Sequence, residues 1–204
     1  MNNKAVLFAN GEKPDHKLLD IKLINESFII GIDKGYEIAK DFGIKPHAII
    51  GDLDSVNLEN VEDHVKIIEN KNKDNNDLEK TLIYCIGNNF DKITIFSCTG
   101  KKDDQNLANL LLCFDYSNDL EIEIITNYNI INFMSGYREF KSSEIKEISI
   151  ISPNKETLIE TTNLKYNLNN EKLASKSHGI SNVVIDDKFT IKSSDKIIVF
   201  RSIK

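Results

Sequence analysis

The stretch Gly51-Asp52-Leu53-Asp54-Ser55 follows directly on the apolar run Ala48-Ile49-Ile50. Two carboxylates and a hydroxyl therefore come where a buried strand ends, and open α/β sheets bind their ligands at that end of the strands. If the backbone stays extended, Asp52 and Asp54 share one side and Leu53 points to the other. Paired carboxylates suit Mg²⁺, which keeps its other positions for water and substrate phosphates. An isolated D-x-D-S pattern is more simply a turn in which Asp and Ser bond their own backbone, so the metal hypothesis depends on the rest of the chain.

The segments on either side alternate between apolar runs and stretches with helical spacing. Apolar runs without polar alternation fit strands that are covered on both faces. Strands separated by helices predict a parallel sheet with right-handed crossovers. The predicted strands are 6–9, 28–32, 47–50, 65–68, 93–96 and 122–126, and the predicted helices are 15–24, 35–42, 57–64, one that opens within 73–81, and 106–116.

From about residue 128 the pattern changes to short apolar runs without a helical period. They lie at 130–132, 147–152, 157–161, 183–185, 188–192 and 197–200, with turn residues between them. This pattern predicts an antiparallel sheet or sandwich. The predicted fold is therefore an N-terminal, Rossmann-like, mostly parallel α/β domain over residues 1–127, followed by a C-terminal antiparallel β-sandwich domain over residues 128–204.

Composition narrows the class of protein. A net charge of −6 over 204 residues argues against a non-specific nucleic-acid binder. Three cysteines, none in close C-x-x-C spacing, fit a reduced compartment better than a disulfide framework. The first apolar run is too short for a signal peptide, and no stretch approaches the length of a membrane span. We expect a cytoplasmic protein without nucleic-acid or membrane partners.

Two further polar segments are predicted at the same edge of the sheet as the aspartates. In one, Asp77 and Lys80 lie three residues apart on one side of a helix. A carboxylate cluster with a lysine beside it can hold a metal ion and a phosphate together, although Asp77 is more simply a helix N-cap or first-turn residue. In the other, Lys101 and Lys102 follow a strand and precede a helix, where a solvated loop is the simpler interpretation.

Taken together, the motifs resemble the thiamine pyrophosphokinase family over nearly the whole chain. Each match is weak alone, but the matches come in the family's order and at its spacing. The segments are Ala9-Asn10-Gly11 (A-N-G), Ile32-Asp33-Lys34-Gly35 (A-D-G-G), Gly51-Asp52-Leu53-Asp54-Ser55 (G-D-x-D-S), residues 73–81 (K-D-x-T-D-x-E-K-A), residues 99–109 (T-G-G-R-x-D-H-x-L-A-N), residues 164–168 (L-K-Y-x-L) and residues 179–182 (G-x-S-N).

The resemblance implies transfer of pyrophosphate from ATP to the hydroxyethyl group of thiamine, giving thiamine diphosphate and AMP, with Mg²⁺ as cofactor. It implies a homodimer whose thiamine pocket forms between subunits, with the first domain catalytic and the second binding thiamine and supplying the dimer contact. The implied metal ligands are Asp52, Asp54 and Asp77, which form the catalytic set with Lys80 and Lys102. The implied ATP residues are Asn10, Gly11, Asp33, Gly35, Ser55, Lys80, Lys102 and Asp104, and the implied thiamine residues are Asp77, Tyr166, Ser181 and Asn182.

Phosphoryl-type transfer depends mostly on positioning and on neutralising charge on the phosphate oxygens, which metal ions and lysines do. The acceptor hydroxyl must also lose a proton, and Asp77 is our candidate base.

This chain departs from the family pattern at several positions, and the departures keep alternatives open. Lys102 replaces an arginine, which keeps the charge but loses the bidentate fork. The other departures are Lys34, Tyr36, Asn76, Lys101 and Gln105. One alternative is a pyrophosphokinase for another heterocyclic alcohol of the pterin type, against which residues 164–168 and 181–182 favour thiamine. The other is a thiamine- or nucleotide-binding protein that has lost catalysis, against which the retained aspartates count.

Overall fold

The computed structural model describes residues 3–142 and 145–203. The chain divides into two compact units, Met1–Asn127 and Tyr128–Lys204. We call them the first and second units.

The first unit is an α/β layer structure around six parallel strands. Its sheet order is β6-β5-β1-β2-β3-β4. The strands are β1 Lys4–Phe8, β2 Phe28–Ile32, β3 Ala48–Gly51, β4 Lys66–Glu69, β5 Lys92–Phe96 and β6 Glu121–Ile125, and the helices are α1 Ile21–Asn25, α2 Gly35–Asp41, α3 Asp77–Gly87 and α4 Asp103–Tyr116.

Continuous apolar sequence explains why the central strands are buried. All four residues of β3 are buried, as are the last four of β1, β2 and β5. The Phe8 and Phe96 rings stack at 5.3 Å between centroids. Their core also contains Val6, Ile29 and Ile38. Strands covered on both faces need no polar alternation, so the predicted parallel sheet is confirmed.

Three predicted helices differ from the structure. The helix expected over 15–24 is a 3₁₀ turn, His16–Leu18, followed by α1, because the Asp20 side chain accepts the N–H groups of Lys22 and Leu23 and starts a new helix. The helix expected over 57–64 is only the 3₁₀ turn Leu58–Asn60. Helix α4 begins at Asp103 rather than at residue 106, because acidic side chains are favourable in a first turn.

The second unit is antiparallel. Its strands are β7 Asn129–Lys141, β8 Glu147–Ile151, β9 Leu158–Thr162, β10 Asn169–Lys172, β11 Asn182–Val183 and β12 Lys188–Ser202. Strand β12 pairs with β7 on one side, and on the other it pairs with β9 through its first half and with β8 through its second. A register shift between Ser193 and Ile197 separates the two halves. Both halves contribute to one core that includes Phe140, Ile159 and Phe189.

The antiparallel class is thus as predicted, but strand lengths are not. The runs predicted at 188–192 and 197–200 are parts of one strand, and 130–132 is part of the thirteen-residue β7. Strand β10 was missed because its four residues are all polar and exposed. Within the described residues, no helix is long and apolar enough to cross a membrane.

Candidate active site

The carboxyl ends of β1 and β5 mark the point where the chain order in the first sheet reverses. From β1 the chain proceeds outward through β2, β3 and β4, and then returns to the other side of β1 with β5. Such a switch point leaves a crevice that is a common ligand site in open α/β sheets. A cavity of about 230 Å³ lies there; its lining includes Ala9, Asn10, Gly11, Asp33, Asn76, Asp77, Ser97, Thr99, Lys101, Lys102, Gln105, Asn106 and Asn109. We call it the strand-end cavity.

Three aspartates surround the end of β3. The Asp52 backbone N–H donates to Asp77 Oδ1 at 3.2 Å. A Cβ built on Gly51 would lie 3.4 Å from both Asp33 Cβ and Asp77 Cγ, so these two side chains flank that glycine. Asp33 Oδ2 accepts the Ser55 hydroxyl at 2.5 Å. Residues from the ends of two strands and the start of α3 are therefore brought to one place.

Lys80 is the cation of this cluster. It is 6% exposed, and its Nζ donates to Asp77 Oδ1 at 2.9 Å. A buried ammonium group is tolerated where a carboxylate compensates its charge. Asp77 is the first residue of α3, and Asn76 caps the helix by accepting the Glu79 N–H. Asp77 is thus a first-turn residue, and its side chain is left for Lys80 and Asp52.

Asp54 follows a left-handed turn at the end of β3. Leu53 has φ +59°, so the backbone is not extended there and the condition under which Asp52 and Asp54 were expected to share one side is not met. The left-handed turn buries Leu53 against Tyr36, Ile49 and Val65 and leaves Asp54 exposed. The Asp54 N–H donates to Asp52 Oδ1 at 3.4 Å. In the described part of the chain, no three His, Cys, Asp or Glu side chains are grouped closely enough to hold a metal ion.

One wall of the strand-end cavity is basic. Lys101 Nζ donates to Asn10 Oδ1 at 3.1 Å, and the exposed Lys102 directly precedes α4 without a side-chain cap on that helix. Asp104 accepts the Gln105 N–H at 2.9 Å, a local contact within the first turn. Lys73 Nζ, which sequence reasoning assigned no role, lies 3.9 Å from Asp52 Oδ2.

Two asparagines of α4 that sequence reasoning missed hold the loop between β5 and α4. Asn109 Nδ2 donates to the Cys98 carbonyl at 2.7 Å, and Asn106 Oδ1 accepts the Gly100 N–H at 2.9 Å. Their spacing of three residues places both on one side of the helix. That spacing was the available signal.

The two glycines implied in ATP binding are required by close backbone packing. A Cβ on Gly35 would lie 1.8 Å from the Phe8 carbonyl oxygen, and one on Gly11 would lie 2.3 Å from the carbonyl oxygens of Ser97 and Thr99. These near atoms are backbone carbonyl oxygens, which cannot move aside as the end of a flexible side chain can. These glycines therefore let α2 and the first loop approach the strands.

The second unit has a cavity of its own, also of about 230 Å³, lined by Ile150, Tyr166, Asn167, Leu168, Glu171, His178, Gly179, Ile180 and Asn182. We call it the loop cavity. Asn182 Oδ1 accepts the Tyr166 N–H at 3.1 Å, and Asn182 Nδ2 donates to the Tyr166 carbonyl at 2.6 Å. The amide thus fixes the backbone that carries the exposed Tyr166 ring. Ser181 has φ +55° and donates its N–H to Ser149 Oγ at 3.0 Å.

The model of the family "Thiamin pyrophosphokinase, catalytic domain" matches residues 19–125. The chain belongs to the thiamin pyrophosphokinase family. The model "Thiamin pyrophosphokinase, vitamin B1 binding domain" matches residues 138–198.

Individual relatives agree with this membership. The thiamine pyrophosphokinase of Bacillus subtilis (strain 168) is 29% identical over 181 residues, which cover 83% of this chain and 84% of that protein. A crystal structure of thiamine pyrophosphokinase from Bacillus subtilis matches with a TM-score of 0.85 and 26% identity, over 98% of this chain and 99% of that one. The enzyme from Candida albicans shares the fold, with a TM-score of 0.83, 20% identity, and coverage of 100% of this chain and 90% of that one.

Proposed function

We propose that this chain is an ATP-dependent diphosphotransferase that moves pyrophosphate from ATP to the hydroxyethyl group of thiamine, releasing AMP. Family membership supports the reaction and its two substrates. The observation that carries the proposal is Asp77 Oδ1, which meets both the Asp52 N–H and the buried Lys80 ammonium at the strand-end cavity. Among the residues that the structure describes, no specific contact favours a pterin-type acceptor or a degenerate binder over this reaction.

Mg²⁺ is the metal that we assign to the aspartates at the end of β3. Asp52 and Asp54 would hold it with their carboxylates, which are hard oxygen donors, and Mg²⁺ needs only one or two of them. Asp33 Oδ1, a buried oxygen without a hydrogen-bond partner among the described residues, adds acceptor capacity in the lining of the strand-end cavity. When bound, the ion supplies charge neutralisation for phosphate oxygens.

The side chains around the cavity bind and orient the substrates. Lys102 and the uncapped start of α4 offer positive charge to phosphate oxygens, as helix N-termini do. Both donors that contact the Asp77 side chain approach Oδ1. We therefore assign Asp77 Oδ2 as the acceptor of the thiamine hydroxyl proton, and leave the metal to the other aspartates, because a base needs a free lone pair.

The second unit is proposed to bind thiamine through the loop cavity. Tyr166 offers an exposed ring at its wall, and Asn182 holds that residue's backbone. A homodimer, with the second unit supplying much of the contact, is supported by the family resemblance. A reduced, cytoplasmic setting is supported by three buried free thiols, and burial raises the pKa of the Cys85 and Cys98 thiols to about 12.

The test is an assay of AMP formation from ATP and Mg²⁺, with and without thiamine. We expect thiamine-dependent AMP, and a loss of roughly 100-fold or more in kcat for Asp52→Asn because a charged group at the reacting phosphates is removed. Asp63→Asn, a change at an exposed residue, is the matched control and should keep full activity. AMP formation with a hydroxymethylpterin but not with thiamine, or thiamine binding without AMP, would overturn the proposal.

A further inference from the structure

Ser97 is a strained, buried residue of the strand-end cavity that no motif singled out. It follows β5 with φ +59°, a left-handed conformation that costs a non-glycine residue free energy. Ser97 is one of the residues that line the cavity, and it is 5% exposed. Its hydroxyl has no hydrogen-bond partner among the residues that the structure describes.

The backbone around Ser97 is held from several sides. Its carbonyl accepts the Gly11 N–H at 2.5 Å, and the Thr99 carbonyl accepts the Glu12 N–H at 2.8 Å. Asn106 and Asn109 hold the same loop from α4. These contacts hold the backbone segment that carries the Ser97 side chain.

Buried polar side-chain atoms without hydrogen-bond partners are uncommon in folded proteins. Each one therefore calls for a structural or functional explanation. Over residues 3–142 and 145–203, three buried side-chain atoms have no partner: Asp33 Oδ1, Ser97 Oγ and Ser193 Oγ. Two of the three line the strand-end cavity. Ser193 lies instead in β12 of the second unit, beside the register shift. Their concentration at one cavity indicates a ligand that supplies the missing partners.

We propose that Ser97 Oγ binds ATP by donating a hydrogen bond to a phosphate oxygen, an inference that rests on the proposed function. A hydroxyl can donate, and the groups that share its cavity, Lys101, Lys102 and the uncapped start of α4, favour an anion. Hydrogen bonds to charged oxygens are stronger than neutral ones. A functional side chain at this position would explain why the left-handed φ of Ser97 is retained.

The test is calorimetric binding of ATP, inorganic tripolyphosphate and adenosine to the full chain, without thiamine. For Ser97→Ala we expect ATP and tripolyphosphate to bind roughly tenfold or more weakly, and adenosine to bind as before. Ser97→Gly should lose the same affinity while its thermal stability rises, because glycine tolerates the left-handed φ. It also serves if the alanine variant does not fold. Ser193→Ala, which removes a matched buried hydroxyl from the second unit, should change neither affinity.

Other outcomes would overturn the inference. If both Ser97 variants keep wild-type affinity for ATP, the hydroxyl touches no nucleotide. If the Ser97 variants lose affinity for adenosine but not for tripolyphosphate, the hydroxyl contacts the nucleoside rather than a phosphate. Wild-type protein that binds neither ATP nor tripolyphosphate would refute the phosphate site itself. Wild-type protein that binds ATP but forms no AMP with thiamine would defeat the proposed reaction and leave the Ser97 result standing.

Discussion

The two cavities are equal in volume, at about 230 Å³ each, but their side chains are held in different ways. In the strand-end cavity the polar groups stand at the ends of β1, β2 and β5 and at the starts of α3 and α4. In the loop cavity most groups stand on connections between short strands, and one amide, that of Asn182, holds the backbone of the residue it faces.

The difference shows how each unit fixes the positions of the side chains around its cavity. Parallel strands all present their carboxyl ends at one edge, so that groups distant in sequence are brought together by strand order. Antiparallel loops have no such common edge. They depend on side-chain to backbone hydrogen bonds, which the Asn182 amide supplies twice. The first cavity should therefore be most sensitive to backbone packing, and the second to single side chains.

The largest expected effect comes from Gly35→Ala in the first unit. The new Cβ would lie 1.8 Å from the Phe8 carbonyl oxygen, so α2 must move away from β1. Overpacking of this kind costs about 1–3 kcal/mol, and a clash with backbone belongs at the upper end or above. Urea unfolding followed by circular dichroism measures the loss in the free energy of unfolding.

The matched change is Gly87→Ala, at the last residue of α3, where a Cβ would meet nothing within 4 Å. Alanine is the better helix former, so the free energy of unfolding should stay level or rise by up to ~1 kcal/mol. If the two variants unfold at the same urea concentration, close backbone packing at Gly35 does not stabilise the unit.

In the loop cavity the sensitive group is the Asn182 side chain. Asn182→Ala removes both hydrogen bonds to the Tyr166 backbone. Each such bond is worth about 1 kcal/mol, so KM for thiamine should rise roughly tenfold while KM for ATP stays constant. Steady-state assays with each substrate varied in turn separate the two constants.

Asn182→Asp refines this test, because it keeps the acceptor for the Tyr166 N–H and loses the donor to the Tyr166 carbonyl. Its KM for thiamine should lie between those of wild type and alanine. An unchanged KM for thiamine in both variants, with normal folding, would show that the Tyr166 segment does not need this amide to bind substrate.

The same contrast explains what the sequence could predict. The order of apolar runs placed Asp52, Asp77 and Lys80 at one edge of a parallel sheet, because strand direction follows from chain order. The left-handed φ of Leu53 could not be predicted from the sequence, because it follows from burial of that side chain among residues distant in the chain. In the second unit, strand β10 has no apolar alternation. The hydrogen bonds between Asn182 and the Tyr166 backbone join residues sixteen apart in the sequence. Neither leaves a local pattern.

The smallest expected effect concerns the basic wall of the strand-end cavity. Lys102 is exposed and stands at the start of α4, where the family pattern has arginine. Lys102→Arg restores a planar fork that binds phosphate through two parallel hydrogen bonds. We expect KM for ATP to fall roughly two- to fivefold, with kcat and KM for thiamine unchanged.

Lys101→Arg is the matched control. Lys101 Nζ already donates to Asn10 Oδ1, so we expect Lys101→Arg to bring no gain in ATP binding. Equal improvement in both variants would mean that added positive field, rather than the fork at position 102, strengthens ATP binding, and that the first cavity is less dependent on geometry than its rigid strand ends imply.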